Sequence, residues 1–201
     1  MCFASGRGSN VEALIRSIGA LHIPARIVLV ISNNSGAGAL KIARNADIPT
    51  LHISEKQYES HERFTQALLD ALSAVHTDLI VLAGYMKKLP SEICRKYPGR
   101  ILNIHPALLP AFGGKGMYGL YVHEAVIASG AQVSGATVHI VNDEYDRGKI
   151  IMQENVPVLH DDTPETLAAR VLDAEHRILP RAVADIVEQI QKDSHKKLVH
   201  E

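Results

Sequence analysis

Short, continuous runs of β-branched residues alternate with segments of helical periodicity, and this alternation constrains the fold more than any other feature. Residues 27–31 (IVLVI) and 79–83 (LIVLA) are such runs. They suit strands buried on both faces of a parallel sheet. Residues 101–105 form a third run and residues 50–53 a weaker fourth. Between them, residues 11–18, 36–46, 58–75 and 89–96 read as helices. Strand and helix in turn imply βαβ units with right-handed crossovers. The first strand is short, because only residues 1–4 precede Ser5 and Gly6 of the turn.

The pattern changes after residue 106. Residues 106–119 are rich in Gly and Pro and read as a long loop, a length that favours a functional segment over a plain connector. A helix over about residues 121–129 follows. Residues 133–141 and 150–158 then read as two strands, and the short link between them favours an antiparallel hairpin. Thr163 can cap a last helix, with Pro164 suited to its first position and Thr166 three residues after the cap in place of Glu. That helix is expected to run to about Gln191, leaving a polar, frayed tail. The fold class is α/β: a Rossmann-like, open, mostly parallel sheet with a C-terminal antiparallel hairpin. The 201 residues suit a single domain.

Composition removes several functions. Lys and Arg number 21 against 22 Asp and Glu, so no basic excess points to nucleic acid. No apolar run reaches the ~20 residues of a membrane helix. Cys2 and Cys94 form no CxxC pair, which leaves zinc and dithiol redox sites unsupported. With no secretory signal pattern, a cytoplasmic protein with free thiols is expected.

Three constellations can carry chemistry. Residues 5–10 (SGRGSN) join a strand to a helix, where glycines and free N–H groups suit a phosphate. Val11 stands where a dinucleotide fingerprint needs its third glycine, so a single phosphate fits better than NAD. A tight turn that binds nothing is the plain alternative. Asn103 and His105 lie two apart on a strand and face the same side. Pro106 biases His105 toward extended backbone. At a strand's carboxyl end, Asn and His can stabilise an oxyanion, and His can move a proton; or the pair simply satisfies local backbone. Asp143, Glu144 and Asp146 share one loop and can bind a metal, orient a histidine or face water, the last being favoured on the residues alone. His139, on an alternating strand, faces either a cleft or the core. Glu175, within the last helix, reads as a surface charge.

These segments, in this order, resemble the phosphoribosylglycinamide formyltransferase family, folate-dependent enzymes of purine synthesis. The likeness runs from Ala4 to about Ala184 and rests on residues 4–10 (ASGRGSN), 81–86 (VLAGYM), 102–110 (LNIHPALLP), 135–139 (GATVH), 143–146 (DEYD) and 174–176 (AEH). It implies the formyltransferase fold over residues 1–201, with a phosphate-binding half of about 1–100 and a folate and catalytic half of about 101–192. It implies transfer of a formyl group from 10-formyltetrahydrofolate to the amine of glycinamide ribonucleotide, without a metal or a covalent enzyme intermediate. Asn103 and protonated His105 would stabilise the oxyanion. Asp146 would hold His105 and help relay protons. Gly8, Ser9 and Asn10 would take the phosphate, and Glu175 the amine end. The pterin would lie along Leu82, Met86, Lys87, Lys88 and Leu89, with the backbone of Asp143 and Glu144 completing the pocket. Lys87 stands where the family often has Arg, a position able to meet the folate tail.

Three departures accompany the likeness, the first being that the first strand is shorter than usual. Leu172 replaces a residue that is often polar, and residues 112–119 lengthen a loop. That loop reads as a flap carrying Lys115 toward substrate or as a surface insertion. Small molecules are the expected partners, with a homodimer left open.

Two relatives share the motif. Formyltetrahydrofolate deformylase usually adds an N-terminal domain, whereas the phosphate loop here starts at residue 5. Methionyl-tRNA formyltransferase adds a C-terminal RNA-binding domain, whereas this chain is expected to end about ten residues past its last helix. A non-catalytic phosphometabolite-binding module is the reading from another class.

Overall fold

The computed structural model describes the backbone of residues 1–199 and the side chains of residues 1–195. Five strands run parallel: β1 (Cys2–Phe3), β2 (Val30–Ser32), β3 (Thr50–His52), β4 (Ile80–Leu82) and β5 (Ile101–His105). β6 (Val133–Ile140) pairs antiparallel with β5, and β7 (Ile150–Pro157) antiparallel with β6. The sheet order is β3-β2-β1-β4-β5-β6-β7. The expected mixed sheet with its C-terminal hairpin is thus what forms.

Successive residues along the parallel strands feed two separate cores, as strand periodicity requires. Cys2, Val30, Val81, Leu102 and Ile104 pack with α1 (Ser9–Ala20), α2 (Gly38–Asn45) and α6 (Pro164–Val199). Phe3, Ile31, Ile80, Leu82 and Ile101 pack on the other face with α3 (His61–Ala74) and α4 (Ser91–Lys96). Burial on both faces explains the continuous apolar runs. α5 (Leu120–Ala128) and α6 close the C-terminal half, α6 lying against β6, β7 and α1.

Strand boundaries differ from the apolar runs. Residues 27–29 and 79 lie outside β2 and β4, because the two-residue β1 between those strands supplies only two ladder pairs on each side. The helix expected from residue 58 starts at His61, where the Ser60 hydroxyl accepts the Arg63 N–H at 3.3 Å.

The last helix starts as expected. The Thr166 N–H donates to Thr163 Oγ1 at 3.3 Å and the Thr163 N–H to Thr166 Oγ1 at 2.9 Å, a reciprocal cap built with Thr in place of Glu. Its end is a correction. α6 continues past Gln191 to Val199, with Lys192 paired to Glu188 at 2.6 Å one turn back. Polar residues of good helix propensity continue a helix when no Gly or Pro stops them. Only His200 and Glu201 of the expected tail remain, and they lie outside the described residues. Pro180 sits inside α6 and removes one backbone donor. Among the described residues, no helix is long and apolar enough to cross a membrane.

Candidate active site

The crossovers leave β1 and β4 toward opposite sides of the sheet, and the carboxyl ends of these neighbours frame a cleft of about 940 Å³. Ligands bind at such switch points in open α/β sheets. Residues 6–10, 82–89 and 103–106 line it from the parallel half. Residues 114–120, His139, Glu144, Asp146, Leu172 and Glu175 line it from the C-terminal half.

At one end lies the loop after β1. Gly8 is the N-cap of α1, with φ 90° and no side-chain cap. A Cβ there would fall 2.5 Å from Ala39 Cα, so the turn needs glycine. The first N–H groups of a helix have no intrahelical acceptor, and with no cap they remain available to an anion. The Ser5 hydroxyl donates to Asn33 Oδ1 at 2.6 Å and accepts the Met86 N–H at 2.8 Å, joining the loops after β1, β2 and β4.

Asn10 and Glu175 meet across the α1–α6 contact, the Asn10 amide donating to Glu175 Oε2 at 2.5 Å. Both are buried, and Asn10 Oδ1 has no partner among the described residues. Burial pushes the Glu175 carboxyl up to about 7, against the opposing hydrogen bond from Asn10. The surface-charge reading of Glu175 is therefore corrected: the α6 face that carries it packs on α1.

The other cluster gathers at the end of β5. Asn103 and His105 project together, as their spacing predicts. Asp146 returns from the β6–β7 connection with its carboxylate between two imidazoles: Oδ2 is 3.8 Å from His105 Nδ1 and Oδ1 is 3.5 Å from His139 Nε2. The Gly114 N–H also donates to Asp146 Oδ2 at 2.8 Å. His139 Nε2 lies 3.1 Å from Asn103 Nδ2, and its Nδ1 is 2.9 Å from the Ile140 carbonyl. The Ile140 carbonyl faces Nδ1, while Nε2 faces both the Asn103 amide and the Asp146 carboxylate. His105 Nε2 lies 2.8 Å from the Phe112 carbonyl, so both its nitrogens face acceptors.

Charge follows from this packing. Burial lowers the His105 pKa, and the Asp146 carboxylate and Phe112 carbonyl only partly oppose it, leaving it below the ordinary imidazole value. Burial works to raise Asp146, but hydrogen bonding from His139 and the Gly114 N–H, with the charge of His105, holds it below the ordinary carboxylate value. His123, on the buried face of α5, is pushed down to about 4 by burial and by His105.

All the expected site residues line one cleft except Asp143, which is not on its wall. The Asp143 carbonyl accepts the Lys88 ammonium at 2.7 Å. Lys115 and Leu172 do line the cleft. Residues 112–119 are no plain surface insertion, since Phe112 and Gly114 bond to His105 and Asp146. The partnership of His139 with Asn103 was not readable from the residues. Its signal is the antiparallel register, which sets Asn103 opposite His139. Among the described residues, no group of three His, Cys, Asp or Glu side chains is placed to hold a metal.

The formyl transferase family model matches residues 1–183. The chloroplastic phosphoribosylglycinamide formyltransferase of Arabidopsis thaliana is 44% identical over 93% of this chain, which spans 64% of that relative's length. The phosphoribosylglycinamide formyltransferase structure from Brucella melitensis is 46% identical with a TM-score of 0.85, covering 92% of this chain and 93% of that one. The glycinamide ribonucleotide transformylase 1 structure from Symbiobacterium toebii is 40% identical with a TM-score of 0.88, covering 94% and 86%. A shared sheet and near-complete alignment at such identity leave one assignment: the chain belongs to the formyl transferase family.

Proposed function

We propose that this chain transfers the formyl group of 10-formyltetrahydrofolate to the amine of glycinamide ribonucleotide. One observation carries the reading: the Asn103–His105–Asp146 cluster shares a single cleft with an uncapped helix N-terminus and a buried carboxyl group. The phosphate of the acceptor rests on the backbone of Gly8, Ser9 and Asn10, where the α1 dipole favours negative charge. Glu175 meets the amine end. The formyl donor lies along residues 82–89, where Leu82 and Leu89 give apolar wall and Lys87 gives positive charge.

The amine attacks the formyl carbon directly. Negative charge develops on the formyl oxygen, and the Asn103 amide and His105 Nε2–H stabilise it. The formyl oxygen takes the place of the Phe112 carbonyl at Nε2. Asp146 favours the imidazolium and relays, through water, the proton leaving the amine to N10 of the folate. The tetrahedral intermediate then collapses, the formyl carbon–N10 bond breaks, and tetrahydrofolate leaves with the formylated ribonucleotide as the other product. A preorganised donor of this kind is worth about 10²–10³ in rate.

The test is folate product release from 10-formyltetrahydrofolate with and without glycinamide ribonucleotide. Turnover that depends on the ribonucleotide is expected. Equal release without it makes the chain a hydrolase, and no turnover by folded protein refutes the reading.

A further inference from the structure

Lys88 lines the cleft, yet its ammonium is engaged with the opposite wall. Nζ lies 2.7 Å from the Asp143 carbonyl and 5.1 Å from the centre of the Tyr145 ring. A hydrogen bond from a charged donor and a cation–π contact thus tie the loop after β4 to the β6–β7 connection. The next residue is Asp146, whose backbone has φ 53°, a left-handed conformation disfavoured for a residue with a Cβ. Such a conformation persists where its surroundings hold it. Within the connection itself, Asn142 Oδ1 accepts the Glu144 N–H at 3.0 Å and the Ile140 N–H donates to the Lys149 carbonyl at 2.8 Å, and neither bond engages residue 145 or 146. The Gly114 N–H holds the carboxylate, and Lys88 holds the two residues at positions 143 and 145.

We propose that Lys88, acting with Tyr145, is a positioning residue for Asp146. Its strap sets the placement of the carboxylate against His105 and His139, so Lys88 supports catalysis without touching the reacting atoms. This rests on the functional reading above.

The groups facing His105 are Asp146 from the β6–β7 connection, His139 from β6, His123 from α5 and the Phe112 carbonyl. Of these only Asp146 carries negative charge. Releasing the strap lets the one ionised group that favours the imidazolium, held then by the Gly114 N–H alone, shift away from it, and His105 titrates at lower pH.

The experiment compares wild type with Lys88→Met, Lys88→Arg and Tyr145→Leu. It reads kcat, KM for both substrates, the pH profile of kcat and the His105 imidazole titration by NMR. Lys88→Met is expected to lower kcat about tenfold, the scale of losing one such hydrogen bond and one cation–π contact. KM for the ribonucleotide stays unchanged, and both the acid limb of kcat and the His105 titration move to lower pH. Lys88→Arg restores kcat to within about threefold, since guanidinium keeps charge and ring contact. Tyr145→Leu moves both readouts in the same direction by less. An unmoved His105 titration in Lys88→Met overturns the proposal, as does a loss confined to KM for the folate. The titration needs no turnover. If it moves in a protein that transfers no formyl group, the strap stands and the functional reading falls.

Discussion

Asp146→Asn is the most informative single change, because it removes charge while keeping shape. The amide oxygen can still accept the Gly114 N–H that now reaches Asp146 Oδ2 at 2.8 Å. What disappears is a negative charge 3.8 Å from His105 Nδ1. At that separation two unit charges interact by about 4 kcal/mol at an effective dielectric of ~20, and by about 1 kcal/mol in water. The Asp146 side chain is 12% exposed, which places the interaction nearer the first figure. His105 already sits below the ordinary imidazole value because burial outweighs its acceptors. Losing the carboxylate removes the largest influence that opposes burial and lowers it further. If the transition state needs the imidazolium, kcat falls by about 10²-fold or more, since every 1.4 kcal/mol is roughly tenfold. The assay is ribonucleotide-dependent formyl transfer, with thermal melting to confirm an intact fold and ribonucleotide binding measured by calorimetry. A folded Asp146→Asn protein with kcat within about twofold of wild type refutes the reasoning.

Three further outcomes follow from the same geometry. Glu175 carries a raised carboxyl pKa of about 7, so the unfolded chain ionises it first as pH rises. Its contribution is complete below the unfolded value near ~4.5 and is lost as pH climbs through about 7, on the order of 3 kcal/mol across that window. Urea unfolding at pH 5 and pH 8 reads this difference, and Glu175→Gln is expected to flatten it; an unchanged slope contradicts the burial argument. Gly8→Ala places a methyl group 2.5 Å from Ala39 Cα at a residue of φ 90°, and is expected to cost about 1–3 kcal/mol and to raise KM for the ribonucleotide. Calorimetric titration with the ribonucleotide checks it, and unaltered affinity removes the phosphate from this loop. Leu72→Ala, in the core between α3 and the sheet, should cost about 2–5 kcal/mol in denaturant unfolding and leave kcat unchanged; a changed kcat in still-folded protein would couple that core to the cleft.

The parallel half of the fold was legible because burial on both faces leaves a plain mark: unbroken β-branched runs. β5 was readable to the residue, since β4 pairs with residues 101–103 and β6 with residues 102–105, and together they cover the whole run. β2 and β4 were read too long, since a ladder depends on its neighbour and β1 offers two residues. At the site, Asn103 and His105 were legible from strand parity. His139 was not, because its partnership comes from the register between β5 and β6. Glu175 looked like a surface charge because helical periodicity does not show which partner covers which face. The tie between Lys88 and the Asp143 carbonyl, 55 positions apart, was hidden for a similar reason.

The hydroxyl of Ser5 gives and receives one hydrogen bond between segments that would otherwise touch different substrates. It stands in the loop proposed for the acceptor's phosphate and holds the backbone of Met86 on the wall proposed for the formyl donor. The two proposed half-sites therefore share a fastener. An acceptor that draws the loop after β1 inward pulls on the wall the donor must fill. By linkage, whatever one substrate gains from the other's presence is returned in equal measure, so cooperativity between the two is symmetric whichever binds first.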